Sequence, residues 1–281
     1  MVQQLANPRA PYKILKNFLK TIDRVVPEAL EGVVPEALEG VVPEALEGST
    51  PEVSPKPTLL LHACCGPCSS YVLELLAQHF QITIYYYNPN IYPETEYTRR
   101  LEELKAFLPR YIPATQNNVK LEVAHYDPNE FYDALGVKEE PELAKQPEKG
   151  ERCRRCYKMR MSRAYEYACQ NHFDYFCTTL SISPFKDADK INQIGRELEA
   201  QGVAFKPGHP IQTVADGKSP KWLLSDFKKE GGFDRSLELT SEYGMYRQEY
   251  CGCIYSSQNV EMRLPRGEGH LGVVATSSKC K

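Results

Sequence analysis

No stretch of the chain stays apolar long enough to form a helix across a bilayer, which excludes a helical membrane protein. The first residues, MVQQLANPRA, lack the apolar core and small-residue cleavage site of a secretory leader, so a cytoplasmic protein is expected. An excess of one charge is lacking too. The formal net charge is -3 over 281 residues, which gives no global basic signature for nucleic acid. Composition does not support disorder, because hydrophobic residues are 42% and charged residues 25% of the chain. That leaves one large domain or two small ones, with a core of ordinary size. What the chain does have is ten cysteines. Structural disulfides are disfavoured in the cytoplasm, so these thiols point to metal or redox chemistry.

The front of the chain is set apart by a tandem octad, VVPEALEG, written three times from Val25 to Gly48. Each unit has room for about one helical turn between its proline and glycine breakers, too little to stand alone. The repeats run into the proline-rich STPEVSPKPT, and residues 25–57 are expected to be a flexible linker; an acidic docking peptide is the alternative. Upstream, Tyr12–Ile22 has helical periodicity. From residue 58 the pattern becomes strand–helix alternation. Strands are expected at Leu59–Leu61, Ile82–Tyr87, Val119–Tyr126 and Tyr175–Thr179. Helices are expected at Ser69–His79, Glu94–Phe107, Asn129–Leu135, Arg152–Asn171 and Asp187–Gln201. This alternation predicts an α/β fold, a mostly parallel sheet with helices on both faces, whose ligand site lies beyond the carboxyl ends of the strands. Beyond Gly202 the alternation fades into a basic, aromatic run. The resulting division is an extension over 1–57, a working domain over 58–256 and a flexible tail over 257–281.

Seven cysteines fall into three groups: Cys64/Cys65/Cys68, Cys153/Cys156 and Cys251/Cys253. The first follows a strand in His62-Ala63-Cys64-Cys65-Gly66-Pro67-Cys68. This loop stands where a phosphate-cradling turn would, but it carries one glycine and neither glycine-rich nucleotide pattern, which counts against a nucleotide hydrolase. Cys153-x-x-Cys156 near a helix start puts two sulfurs one turn apart on one face, where a helix N-terminus favours thiolate. Two thiolates there and two from the first loop would make a tetrahedral sulfur site suited to zinc or a [4Fe–4S] cluster. Softness alone does not choose between them. A disulfide across Cys251-Gly252-Cys253 would close a small strained ring, easily reduced and suited to redox exchange, with metal ligation as the rival. Cys169 and Cys177 read as core residues. Lys149–Arg163 carries seven Lys/Arg against one acid, Glu151, and is expected to draw an anionic substrate toward the second cysteine pair. His62 is a candidate proton donor; Asp226 and Tyr250 are candidates by position.

Taken together, LLLHACCGPCSSYVLELL, YYYNPNIYPETEYTRRLEEL, ERCRRCYKMRM, FDYFCTTLSISPFKDADKINQIG and SDFKKEGGFDRSLELTSEYGMYRQEYCGC resemble the QueH family of cobalamin-independent epoxyqueuosine reductases. The resemblance runs from about Thr58 to Ser256 and includes every cysteine group in order. It implies a fold similar to the HUP, adenine-nucleotide alpha-hydrolase-like group. It also implies a [4Fe–4S] cluster on Cys64, Cys65, Cys153 and Cys156, with a further iron beside it for which Cys68 and Asp226 are candidate ligands. Cys251 and Cys253 match the family's redox-active disulfide. The implied reaction is removal of the epoxide oxygen from epoxyqueuosine in a tRNA anticodon loop, the last step of queuosine formation. Iron would polarise the oxygen, the cluster with or without the dithiol would supply electrons, and His62 or Tyr250 would protonate the oxygen as it leaves. The expected partners are tRNA and a low-potential electron donor. Three other classes are weighed against this reading. One is a zinc-stabilised RNA-binding module without catalysis; another is a nucleotide-activating tRNA-modifying enzyme. The third, a radical SAM enzyme, is disfavoured because no C-x-x-x-C-x-x-C appears.

Overall fold

A computed structural model describes residues 10–25, 55–201 and 219–257. The octads beyond Val25, most of the stretch after Gln201 and the tail from residue 258 lie outside the described residues. Five strands form one all-parallel sheet in the order β3-β2-β1-β4-β5: β1 Thr58–His62, β2 Gln81–Tyr86, β3 Lys120–Val123, β4 Tyr175–Thr178 and β5 Lys221–Trp222. β1 and β4 pair in register from Leu59 with Tyr175 to His62 with Thr178. Leu59, Leu60 and Leu61 are fully buried, as expected of a central strand covered on both faces. The chain leaves β1 in one direction across the sheet and reaches β4 on the other side. That reversal opens a crevice at the carboxyl ends of β1 and β4.

The main helices are α1 Ala10–Val25, α2 Gly66–Leu76, α3 Glu94–Phe107, α4 Ile112–Gln116, α5 Pro128–Leu135, α6 Glu142–Lys145, α7 Glu151–Gln170, α8 Ala188–Gln201 and α9 Gly232–Glu242. α1 docks through Leu15 and Leu19, which are buried, and through Phe18, whose ring lies 5.5 Å from that of Tyr175. α2 begins earlier than the periodicity suggests. Pro67 occupies its first turn, where a missing N–H leaves no helical bond unmade. β3 is shorter than expected and mostly exposed, as befits an edge.

β5 and α9 extend the fold past the predicted alternation. β5 is held by its tryptophan: the Trp222 indole N–H donates to Asn192 Oδ1 at 3.1 Å and its ring packs tilted against Phe176, 4.8 Å between ring centres. This docking needs glycine on α8, because a Cβ at Gly195 would stand 2.2 Å from the indole. Asn192 also accepts from Ser225 N at 3.1 Å and donates to Ser225 O at 2.8 Å, so the chain leaving β5 is tied to α8 as well.

Candidate metal and redox site

The three cysteine groups sit at the carboxyl side of the sheet on three different supports. β1 hands over at His62 to Ala63, Cys64 and Cys65, and Cys68 follows in the first turns of α2. Cys64 and Cys65 are buried, Cys68 is half-buried, and their three sulfurs lie within 4.8 Å of one another. Cys64 Sγ and Cys65 Sγ are 3.8 Å apart. The Cys64 thiol is held well below its ordinary pKa because Cys65 and Cys68 hydrogen-bond to it, with Lys186 and Arg160 adding to the effect against burial. Cys65 is pushed up to about 12, by burial first and Cys64 next, and Cys68 is raised chiefly by its bonds to Cys64 and Cys65.

Cys153 and Cys156 occupy the first turns of α7. The expected thiolate character at this helix start does not hold. Burial raises Cys153 and pushes Cys156 up to about 12, outweighing the helix terminus and the nearby Arg160. Both also feel Cys251, which brings the second and third groups into one neighbourhood. The second pair does not join the compact group of Cys64, Cys65 and Cys68.

Cys251 and Cys253 follow α9 on a turn that only glycine can make. Gly252 has φ +123°, and a Cβ there would lie 3.0 Å from Arg100 Nη1 and 3.1 Å from Ile91 Cγ1. Arg100 anchors the turn. It is 1% exposed, donates to Cys251 O at 3.1 Å and Tyr250 O at 3.3 Å, and pairs with Glu96 Oε1 at 2.7 Å. Tyr92 N donates to Gly252 O at 2.7 Å, closing the turn from the other side. All nine described cysteines are free thiols. Cys253 is pushed up to about 11 by burial and then by Cys251.

Two buried cations stand between these groups. Burial opposes the charge on Arg160, yet Cys156, Cys64 and Cys251 raise its pKa; its Nη2 donates to Asn88 Oδ1 at 2.5 Å. Burial likewise opposes Lys186, and Cys251, Cys64 and Cys68 more than compensate. Cations surrounded by sulfur are the setting for an anionic, soft-donor centre. Several of the buried polar atoms that lack a partner among the described residues add to this: both ends of the Asn90 amide, Arg160 Nε and Gln248 Oε1. Buried polar groups are normally satisfied, so this concentration around the sulfurs suits a site that takes up a further group. The donor set therefore fits a thiolate-bound metal centre.

The other expected site residues fall in distinct places. His62 is not set up to give a proton. It is fully buried, Nε2 lies 3.1 Å from Tyr87 O and Nδ1 2.7 Å from Thr178 Oγ1. A carbonyl can only accept, so Nε2 carries the hydrogen and Nδ1 accepts from the threonine, whose oxygen in turn accepts from Leu180 N at 3.2 Å. Burial, then Arg160, lowers its pKa to about 3, leaving a neutral ring that joins β1, β4 and the end of β2. Asp226 is buried but outside the sulfur group, and its carboxylate pairs with Lys228 at 2.5 Å. Tyr250 does reach the site. Its hydroxyl donates to Tyr92 O at 2.6 Å, burial pushes its pKa up to about 12, and it lines a cavity with Cys68, Lys186, Gln248 and Cys251. Gln248, Arg100, Arg160 and Lys186 were not singled out from the sequence. Only Arg160 left a signal there, one helical turn beyond Cys156 on the same face of α7.

The basic cluster over residues 149–163 does not form a free cationic face. Arg152 is buried and donates to Leu143 O and Ala144 O at 3.0 and 2.6 Å. Arg155 pairs with Glu140 at 2.9 Å, and Arg163 with Glu166 at 3.1 Å. With Arg160 turned inward, most of this charge serves the fold.

Comparison with known proteins gives one consistent result. The family model described as "Epoxyqueuosine reductase QueH" matches residues 59–259. A protein named "Epoxyqueuosine reductase QueH" from Streptococcus pyogenes serotype M1 is 39% identical over 205 residues, covering 73% of this chain and 72% of that protein. Its namesake in Staphylococcus epidermidis is 37% identical over 202 residues, 72% of this chain and 77% of the relative. The Thermotoga maritima protein of that name is 29% identical over 224 residues, 76% of this chain and 99% of its own length.

Proposed function

The chain belongs to the epoxyqueuosine reductase QueH family, and from that premise we propose that it removes the epoxide oxygen of epoxyqueuosine in tRNA to give queuosine. The observation that carries this reading is the gathering of three cysteine groups at one end of the sheet, with Cys68 and Cys251 on the wall of one cavity, Cys153 and Cys156 within electrostatic reach of Cys251, and Arg160 and Lys186 buried among the sulfurs. Opening an epoxide to an alkene takes two electrons and two protons, and the oxygen leaves as water. The free dithiol of Cys251 and Cys253 holds that complement. On closing to a disulfide it releases two electrons and two protons, and an external low-potential donor must then restore it.

Cys64, Cys65, Cys153 and Cys156 would hold a [4Fe–4S] cluster, with Cys68 close enough to the first pair to share a further iron. Such a centre supplies electrons and a Lewis-acidic iron for the epoxide oxygen. Tyr250 is the better placed of the two proton sources expected from sequence, because it lines the cavity while His62 is fully buried away from its wall. The hydrogen of each is given to a backbone carbonyl, Tyr92 O and Tyr87 O, and the Tyr250 hydroxyl would have to turn from that carbonyl to the substrate. Arg100 keeps the redox pair in place through the carbonyls of Tyr250 and Cys251. At the cavity rim, Phe185 is 59% exposed, and the Arg247 guanidinium lies 5.2 Å from the Phe233 ring centre. Exposed rings and stacked guanidinium planes suit the unstacked bases of an RNA loop.

The domain reading follows. Residues 58–256 are the catalytic unit, and the octads and the tail are additions to it; of the insertion expected at about Gly208–Trp222, the last two residues form β5 and belong to the sheet. The deciding experiment is anaerobic incubation with epoxyqueuosine-containing tRNA and a low-potential reductant, followed by mass analysis of the nucleosides. Loss of one oxygen from the modified base supports the function. A colourless zinc protein that binds RNA and leaves the base unchanged would overturn it.

A further inference from the structure

Of the buried polar atoms that find no partner among the described residues, Gln248 Oε1 alone belongs to a side chain that lines the cavity. The other end of the same amide is engaged. Nε2 lies 3.1 Å from Cys65 Sγ and 4.0 Å from Cys68 Sγ. A cysteine sulfur that binds metal has no proton to give, so only the NH2 end of the amide can meet it. The carbonyl end therefore faces away from the sulfurs. A buried carbonyl oxygen with no donor is costly, and here the missing donor has a place to come from.

We propose that Gln248 is a substrate-binding residue with two faces. Its NH2 rests on the Cys65 sulfur, and its Oε1 accepts a hydrogen bond from an O–H or N–H of the group being reduced. This rests on the reading that the epoxide-bearing ring enters the cavity. An epoxide oxygen can only accept, so it is not the partner of Oε1. The partner is a hydroxyl or amine hydrogen on the same substituent, and holding it orients the ring against Cys68, Lys186 and Cys251 on the same walls. Gln248 also shares the segment that Arg100 anchors at Tyr250 and Cys251, so the amide and the redox pair are positioned together.

The test compares iron-loaded wild type with Gln248→Met, which keeps length and loses both polar ends, and with Gln248→Ala as a second truncation. Affinity is measured for tRNA bearing epoxyqueuosine and for the same tRNA unmodified. Wild type should prefer the modified tRNA. Both variants should lose roughly threefold to tenfold of that preference, the worth of one neutral hydrogen bond, with KM rising in step. Affinity for unmodified tRNA and bound iron should stay as in wild type. A preference kept in full by both variants overturns the inference, as does an equal weakening toward both tRNAs, which a purely structural role would give. If the wild type itself leaves the epoxide intact, the functional reading has failed. An active wild type with an unmoved preference in the variants means that only the role of Gln248 has failed.

Discussion

Replacing Arg100 with methionine should destabilise the protein by an amount the structure allows to be worked out. The guanidinium is 1% exposed as a side chain and its partner Glu96 10%, at 2.7 Å, so the pair is buried. Removing one member of a buried pair leaves the other charge uncompensated, at about 3–5 kcal/mol. Tyr246 softens the loss, since its hydroxyl lies 3.2 and 3.1 Å from the two Glu96 oxygens. Against that, Cys251 O and Tyr250 O each lose a donor. The expected cost is therefore near the lower end, about 3 kcal/mol, a large fraction of the roughly 5–15 kcal/mol that holds a typical domain together. For a domain of this size it corresponds to a Tm lower by about 6–12 °C. Urea and thermal unfolding of metal-free Arg100→Met, Glu96→Gln and the double variant measure it. Glu96→Gln removes the stranded charge, so the double variant should lose about 1–3 kcal/mol less than the sum of the singles. Additive losses, or an Arg100→Met cost below about 1 kcal/mol, would refute the buried-pair argument.

Three further outcomes are expected. Cys153→Ser and Cys156→Ser should each lower bound iron and visible absorbance after anaerobic reconstitution, while Cys169→Ser, on the same helix but away from the sulfurs, should leave both unchanged. Cys177 is pushed from 9.0 up to about 12 by burial, so the unfolded thiol ionises first and stability falls as pH rises through that window. Cys177→Ala should flatten the slope of the urea-derived unfolding free energy against pH there, by up to about 1.4 kcal/mol per unit. Phe185→Ala should weaken tRNA binding roughly fivefold to a hundredfold without changing thermal stability, and Phe185→Trp should restore it, as expected of a base-stacking ring.

Elements that carry their own local signals were legible in the sequence. The expected helix over 94–107 matches α3, whose acidic first turn and basic last turn mark its ends, and the three leucines of β1 announce a buried strand. β5 was not legible, because a strand of two residues shows no alternation and exists only through β4 and the Trp222 indole. α9 was missed for a related reason. Its buried residues include Ser236 and Thr240, whose hydroxyls bond back to Phe233 O and Ser236 O, so its inward face does not read as apolar. The cysteine groups were visible as spacing. Their supports were not, since Arg100, Lys186 and Gln248 come from segments far apart in the chain.

The fate of the positive charge shows how the fold converts a misleading sequence feature into a site. The octads contribute six glutamates and no Lys or Arg, so the rest of the chain carries a net +3. The cluster at Lys149–Arg163 looked like the place where that excess meets RNA. Helical geometry prevents it: Cys156 and Arg160 share a face of α7, and the face that brings a sulfur to the crevice must bring the guanidinium too. Lys186 reaches the same place from the other side of the switch point, in the loop that follows β4. Two buried cations need anions, and Cys64, whose pKa both of them help to hold down, faces both. A buried cation of this kind is stable only beside compensating negative charge, which sulfurs ligating a metal would add to. On the function proposed above, RNA would be met by what remains exposed at the cavity rim, Phe185 and Arg247, rather than by the densest run of basic residues.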